Sequence, residues 1–466
     1  MNGLRLSEDV LLEIFNAYRQ LCESDPRYEN IWNSRDGWFK LTHVCRNWRR
    51  LVHLSPSRLH VHLRFTPRGS SKALLLKNLP PFPILVDFRN ASWTKREVSL
   101  ALAALEHRSR VRGISLGTTL SKVKEPTEIF EALSRSFPEL ESLEICFSYG
   151  NCLTTLPTAL LGSASCLRRL KLRVVDQKYL SPLLSSMRGL AELDLTLRAP
   201  LNTFPEESII ANLQRMSCLR RLVLRLTDWP STGISDTPRP PARTGDIVSL
   251  PNLTQLVFNG HHIYLEALVA VLVAPSLQRL NVRLVDDELF TFPITHLCRF
   301  ICDTDNYFGR VRLDFWGSQL QLTAETRSKS DHVQPFRISF PPIWLEEIGK
   351  RLSGPLATVE ELVIQRNGIS LGVEWRGFFN HIRQVKVLQV PWQMALDVVH
   401  SFQQNGQEQG QEPAMDILPN LGQINMDMTN WQLGPSIQGH VAIPDVFEPL
   451  LAARKKVGRP ITLSLI

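Results

Sequence analysis

The sequence predicts an α/β chain: a small all-α module over residues 1–56, then, over residues 57–466, an irregular array of parallel strands with helices outside them. Three observations carry this expectation. A short apolar phrase recurs along the chain, helix signals fall between its copies, and the residues ahead of the array carry a different, helical periodicity.

The phrase is apolar-x-x-apolar-x-apolar. It stands as LESLEI (Leu140 to Ile145), LRRLKL (Leu167 to Leu172), LAELDL (Leu190 to Leu195), LRRLVL (Leu219 to Leu224), LTQLVF (Leu253 to Phe258) and LQRLNV (Leu277 to Val282), then as VEELVI (Val359 to Ile364) and LGQINM (Leu421 to Met426). VRGISL from Val111, PFRISF from Pro335 and VKVLQV from Val385 fit more loosely. From Val111 to Leu277 the starts are 29, 27, 23, 29, 34 and 24 residues apart, room for one short strand, a helix and two turns. Upstream, RLHVHLRF (Arg58 to Phe65) and ILVDF (Ile84 to Phe88) alternate with period two and extend the array toward residue 57. A strand this short cannot bury its inner face alone. Stacking its copies in parallel, with helices behind them, makes one continuous core.

Between phrases, Ser181 and Pro182 mark a helix start, and Glu206 and Glu207 fall in a first turn, where the helix dipole favours them. The array resembles irregular leucine-rich repeats. It departs from their pattern where an Asn bonds the turn, because Ser148, Val175, Arg198 and Thr227 hold that place. Two polar insertions, residues 228–246 and 403–413, interrupt it and read as loops.

Composition bounds the function. Of 466 residues, 43% are hydrophobic and 21% charged, which suits a folded protein. The net charge of +8 is spread along the chain, so a nucleic-acid partner is not expected, and ARKKVGRP (Ala453 to Pro460) reads as an ordinary solvated terminus. The eight cysteines show no zinc spacing; Cys298 and Cys302 read as one buried helix face, and a reducing compartment, cytoplasmic or nuclear, is expected. MNGLRLSEDVLLEIF does not read as a secretory signal, and the longest apolar run, Ala267 to Pro275, is too short to cross a bilayer.

In the first segment Ser7 is a good N-cap, with Glu8 and Asp9 complementing the dipole of a helix whose stripe is Val10, Ile14, Ala17 or Tyr18, and Leu21, with Leu11 and Phe15 beside it. LTHVCRNWRRLV, read as one helix, lines up Leu41, Val44, Cys45, Trp48, Leu51 and Val52. Together, LSEDVLLEIF (Leu6 to Phe15) and this second block resemble the F-box, particularly that of fungal F-box proteins in which repeats follow directly. Leu6, Asp9, Val10, Leu11, Ile14, Phe15, Leu41, Val44, Cys45 and Trp48 fall on the family pattern. Ser7 stands where the family has Pro, and residues 22–37 lengthen the spacing between the blocks.

The resemblance implies a substrate receptor of a cullin ubiquitin ligase, with no catalysis, cofactor or metal of its own. Its adaptor-binding residues would be drawn from Leu6, Val10, Leu11, Ile14, Phe15, Leu41, Val44, Cys45 and Trp48. Among these, Trp48 and Val44 would support the module, while Leu6, Val10, Leu11, Ile14 and Phe15 would lie at or near a Skp-type adaptor. The repeats would hold a protein substrate, for which Trp229, Trp316, Trp375, Trp392 and Trp431 are contact candidates. An alternative is a repeat scaffold unconnected to any ligase, its helices capping the end of the array.

Catalytic signals are weak. GISLG occurs at Gly113 to Gly117 and Gly368 to Gly372, matching a nucleophile elbow, but Ser115 sits inside a repeat phrase and neither copy is followed at once by a helix. The pairs Glu206 with Glu207, Asp286 with Asp287, Glu346 with Glu347 and Glu360 with Glu361 are adjacent, so they point apart. His261 and His262 lack the spacing of a helical metal site.

Overall fold

The computed structural model describes residues 6–24, 37–56, 58–59, 62–67, 81–89, 91–117, 127–146, 164–176, 184–185, 187–198, 206–227, 247–285, 294–302, 308–317, 319–326, 336–366, 373, 375–403, 417–428 and 443–466. Ser148, Ser181, Pro182, Trp229, Asp286, Asp287, Ser370, Trp431 and nearly all of both insertions lie outside them. The chain is mixed α/β and divides into two compact units: Met1–Arg198 with Ala211–Leu219, and Ala199–Ile210 with Arg220–Ile466.

The first unit opens with three helices, α1 (Glu8–Ser24), α2 (Gly37–Val44) and α3 (Arg46–Leu54). LTHVCRNWRRLV is therefore two helices and not one. The break falls at Cys45, whose backbone is extended and whose Sγ accepts from the Trp48 amide at 3.5 Å, capping α3. Six parallel strands follow in chain order: β1 (Leu63–Phe65), β2 (Ile84–Phe88), β3 (Val111–Gly117), β4 (Ser142–Cys146), β5 (Arg169–Asp176) and β6 (Glu192–Arg198). Among the described residues two helices stand between them, Lys95–Leu105, started by a Thr94–Glu97 capping box, and Thr127–Leu133.

Register explains why the phrase must repeat. Val86, Ile114, Leu143, Leu170 and Leu193 lie side by side across β2 to β6, as do Phe88, Leu116, Ile145, Leu172 and Leu195, and every one is buried. Each fully buried aliphatic contributes about 1.5–3 kcal/mol, but only when its neighbours in the row are in place. The row between them, Asp87, Ser115, Glu144, Lys171 and Asp194, faces the other way.

A further regularity lies just upstream of eight of the eleven phrases. The first phrase residue donates its amide to the carbonyl three residues earlier at Leu140, Leu167, Leu219, Leu253, Leu277, Val359, Val385 and Leu421, at 3.0–3.2 Å. The accepting residues, Phe137, Ala164, Met216, Leu250, Ala274, Leu356, Ile382 and Leu418, are apolar and buried. The second phrase residue then bonds the preceding unit: Arg168 to Glu141, Ala191 to Arg168, Gln278 to Thr254, and Gly422 to Lys386, at 2.8–3.0 Å. These bonds give the otherwise orphaned turn amides partners in the neighbouring turn.

In the second unit the strand order is β7 (Arg221–Thr227), β9 (Gln255–Gly260), β11 (Arg279–Leu284), β14 (Phe336–Phe340), β13 (Gln319–Thr326), β12 (Phe308–Trp316), β15 (Glu361–Arg366), β16 (Val387–Pro391), β17 (Gln423–Asp427) and β18 (Thr462–Leu465). Two short strands, β8 (Val248–Ser249) and β10 (Leu272–Val273), pair separately. Strand β13 runs antiparallel to both its neighbours, so β12, β13 and β14 form a meander inside an otherwise parallel order. The phrase template leaves β12 and β13 unassigned, although their strict alternation and the turn at Gly317, with φ of 57°, are strand and hairpin signals. An aromatic core, Phe315, Trp375, Phe379 and Phe402, joins strand to helices at ring separations of 5.7–5.8 Å.

Candidate functional site

The surface in question is built by α1, whose helical period sends successive side chains around its axis. Leu11, Leu12 and Phe15 point inward and are buried, and Phe15 meets the Trp48 ring edge-on at 4.7 Å. Leu6, Val10 and Ile14 point outward, with 52%, 45% and 42% of their surface exposed. Leu21, one and a half to two turns beyond Ile14 on the same stripe, is exposed too.

Two expectations are corrected by this packing. Leu11 and Phe15, expected at or near a partner surface, are buried within their own chain, and Leu41, also buried, joins them in the core. Val44 supports nothing: as the last residue of α2 it is 58% exposed, next to the exposed Cys45. Trp48 is half-buried, its ring against Phe15. The stripe Val10, Ile14, Ala17 and Leu21 is the exposed side of α1, because the core lies under Leu11, Leu12 and Phe15.

The module is held from behind and at its ends. Trp38 and His53 both pack on Phe82, at 5.2 and 5.4 Å, just before β2. Burial, with Arg49 nearby, lowers the His53 pKa, so this imidazole prefers to stay neutral. Arg58 pairs with Asp9 at 3.1 Å, and Arg50 pairs with Glu8, tying α1 to the C-terminal side of the module. These ion pairs are exposed and each contributes little.

Compared with models of protein families and with curated proteins, the chain matches none.

No arrangement suited to catalysis emerges among the described residues. Ser115 is mid-strand in β3, between Asp87 and Glu144 of the neighbouring strands, with no strained turn. Gly113 and Gly117 answer to packing: a Cβ at Gly117 would lie 2.4 Å from the Cys146 carbonyl oxygen and 2.8 Å from that of Arg89. Asp87 takes hydrogen bonds from Arg64 and Arg89. Burial alone would raise its pKa, but the two guanidiniums hold it below the usual carboxylate range. Glu347 pairs with Arg351 at 2.5 Å, Glu360 with Lys386 at 2.7 Å, and Glu361 with Arg310 at 3.3 Å, so each of these acids has a cation beside it.

His261 caps the helix His262–Val271 through Nδ1, and both histidines are buried. No group of three or more His, Cys, Asp or Glu is placed to hold a metal ion among the described residues. Cys298 is buried, and burial together with Glu266 pushes its thiol up to about 12, whereas Cys302 is exposed, so the two do not form the buried pair expected. Of the tryptophan candidates, Trp375 is core and Trp392 half-buried; Trp316 alone of the described three is exposed. No described helix is long and apolar enough to cross a membrane.

The basic stretch Ala453 to Pro460 is not simply solvated. It closes the helix Ile443–Lys456, and Arg454 is wholly buried, donating to the carbonyls of Ile417 and Leu418 at the turn before β17.

Proposed function

We propose that the chain is an F-box substrate receptor of a Skp-cullin-F-box ubiquitin ligase. Its N-terminal helices dock a Skp-type adaptor through Leu6, Val10, Ile14 and Val44, and its repeats form a leucine-rich-repeat-like solenoid that presents a protein substrate. The observation that carries the reading is the outward stripe on α1. Residues that match the F-box pattern stay exposed there, while Leu11 and Phe15 form the core that fixes the helix. Exposed aliphatics at three- and four-residue spacing on one helix are what a partner helix covers. The turn bonds recurring before eight of the phrases support the solenoid reading, because the same local geometry returns along the array.

In this reading the chain catalyses nothing. It raises the effective concentration of a substrate beside a ubiquitin-loaded enzyme, in the cytoplasm or nucleus. The test is co-purification of the full chain with a Skp-type adaptor. Wild type should retain it, and Val10→Asp combined with Ile14→Asp should lose it while keeping the wild-type melting profile. An adaptor that fails to bind wild type refutes the ligase assignment.

One observation favours a second reading. Trp38 and His53 seat the helices against Phe82 ahead of β2, as an end cap of a ligase-free scaffold would sit. The same co-purification separates the two.

A further inference from the structure

On the second unit, the face of the strands opposite the buried leucines carries an uneven charge. Strands β7, β9, β11 and β14 contain five arginines, Arg221, Arg225, Arg279, Arg283 and Arg337, and no lysine, aspartate or glutamate. Register places all five on one side. Arg221 aligns with Gln255 and Arg279, Arg225 with Asn259 and Arg283, and Arg337 with Asn281. The residues between them, such as Leu222, Leu256, Leu280 and Ile338, are buried on the other side.

The basic region has a clear limit. On β12, β13 and β15 carboxylates return, and Arg312 pairs with Asp314 at 2.9 Å and Arg310 with Glu361 at 3.3 Å, whereas on the basic face Arg221 donates to the neutral Gln255 Oε1 at 3.2 Å. Arg283 and Arg337 are exposed, and Arg221, Arg225 and Arg279 are half-exposed. Arginines two strands apart stand roughly 10 Å from each other, little more than the Debye length of about 8 Å at physiological salt, so their potentials overlap.

We infer that this face is a docking surface for an extended, carboxylate-rich segment of a protein. Guanidinium forks match carboxylates in shape as well as charge, and Asn281 and Ser339, set among them, offer neutral hydrogen bonds to a peptide backbone. Spacing agrees with this. Arg279 and Arg283 are about 13 Å apart along β11, the separation of side chains four residues apart in an extended peptide. The strands present no aromatic side chain on this face, since Phe258, Phe336 and Phe340 are buried, so a stacking platform for single-stranded nucleic acid is lacking. The inference rests on reading the repeats as a protein-holding surface, and not on the adaptor assignment.

The test uses the purified full chain and fluorescence anisotropy with four labelled probes: a twelve-residue peptide alternating Asp and Glu with Ser, its Asn and Gln counterpart, and single-stranded and duplex DNA of matching length. The acidic peptide should bind tightest. Arg283→Gln with Arg337→Gln should weaken it by about tenfold or more, while Lys95→Gln with Arg96→Gln, which removes the same charge from an exposed helix of the first unit, should change it by less than about twofold. Equal binding of the two peptides overturns the inference, as does tighter binding of either DNA or an equal loss in both double variants. The wild-type comparison stands even if an arginine variant fails to fold. Adaptor co-purification, run in parallel, separates this result from the ligase reading: loss of peptide binding with the adaptor retained refutes the docking surface alone.

Discussion

Adjacent residues Ile14 and Phe15 should respond to truncation in opposite ways. Phe15 is fully buried and holds Trp48 edge-on at 4.7 Å, so Phe15→Ala leaves a cavity in a three-helix core and should cost about 3–5 kcal/mol, of which about 0.5–1.5 kcal/mol is the aromatic pair. Ile14 keeps 42% of its surface in water, so Ile14→Ala should cost under about 1 kcal/mol. Because a chain of this length need not unfold in one step, the assay must be local. Hydrogen exchange measured on peptides covering α1 and α3 reports opening of the module itself. With each 1.4 kcal/mol worth a factor of ten, Phe15→Ala should speed exchange there by roughly a hundredfold or more, and Ile14→Ala by less than about fivefold. The expected loss of adaptor binding runs the other way, falling on an Ile14→Asp surface variant whose exchange stays near wild type. Equal acceleration by the two alanine variants would show that α1 does not sit with Phe15 in and Ile14 out, and the exposed stripe would go with it.

Three other perturbations test the array. Gly117→Ala pushes a methyl against two backbone oxygens that cannot move aside independently; destabilisation of about 1–3 kcal/mol or more is expected from thermal melting, and a neutral result would contradict the close approach of β3 to β4. In thiol labelling at about pH 8, Cys45, Cys218 and Cys302 should react first, while Cys298, pushed up to about 12, and Cys146, pushed up to about 11, should resist until the chain unfolds. For Asp87 the folded pKa lies below the unfolded value of about 4, so its contribution is present above that pH and lost as pH falls; Asp87→Asn should lower stability at neutral pH and flatten the acid limb of a stability profile.

Much of the strand pattern is legible in residue spacing, because a row of Leu, Ile and Val at fixed offsets can bury only one way. All eleven phrases coincide with strands, and ILVDF does so residue for residue, whereas in RLHVHLRF the described strand is Leu63–Phe65 and His60 and Val61 lie outside the described residues. The buried apolar residue that accepts the turn bond three places ahead of eight phrases is a similarly regular signal, visible in FPEL, MSCL, LPNL and LATV once that bond gives it a reason. Spacing failed where two periodicities overlapped. Leu41 to Val52 keeps a helical rhythm straight through Cys45, yet the backbone turns there, and no count of apolar positions registers a thiol acting as a cap.

Residue order alone dictates which side chains prefer to leave water and at what period, so it dictates helices, strands and the need to stack them. It does not dictate which of two overlapping stripes on α1 faces in. Val10 and Ile14 are as apolar as Leu11 and Phe15, and only the position of Trp48 and Leu41 after folding decides which pair is covered. Likewise, five arginines spread from Arg221 to Arg337 are unremarkable as a list, and parallel pairing brings them onto one face because neighbouring strands place residues far apart in the chain about 5 Å apart.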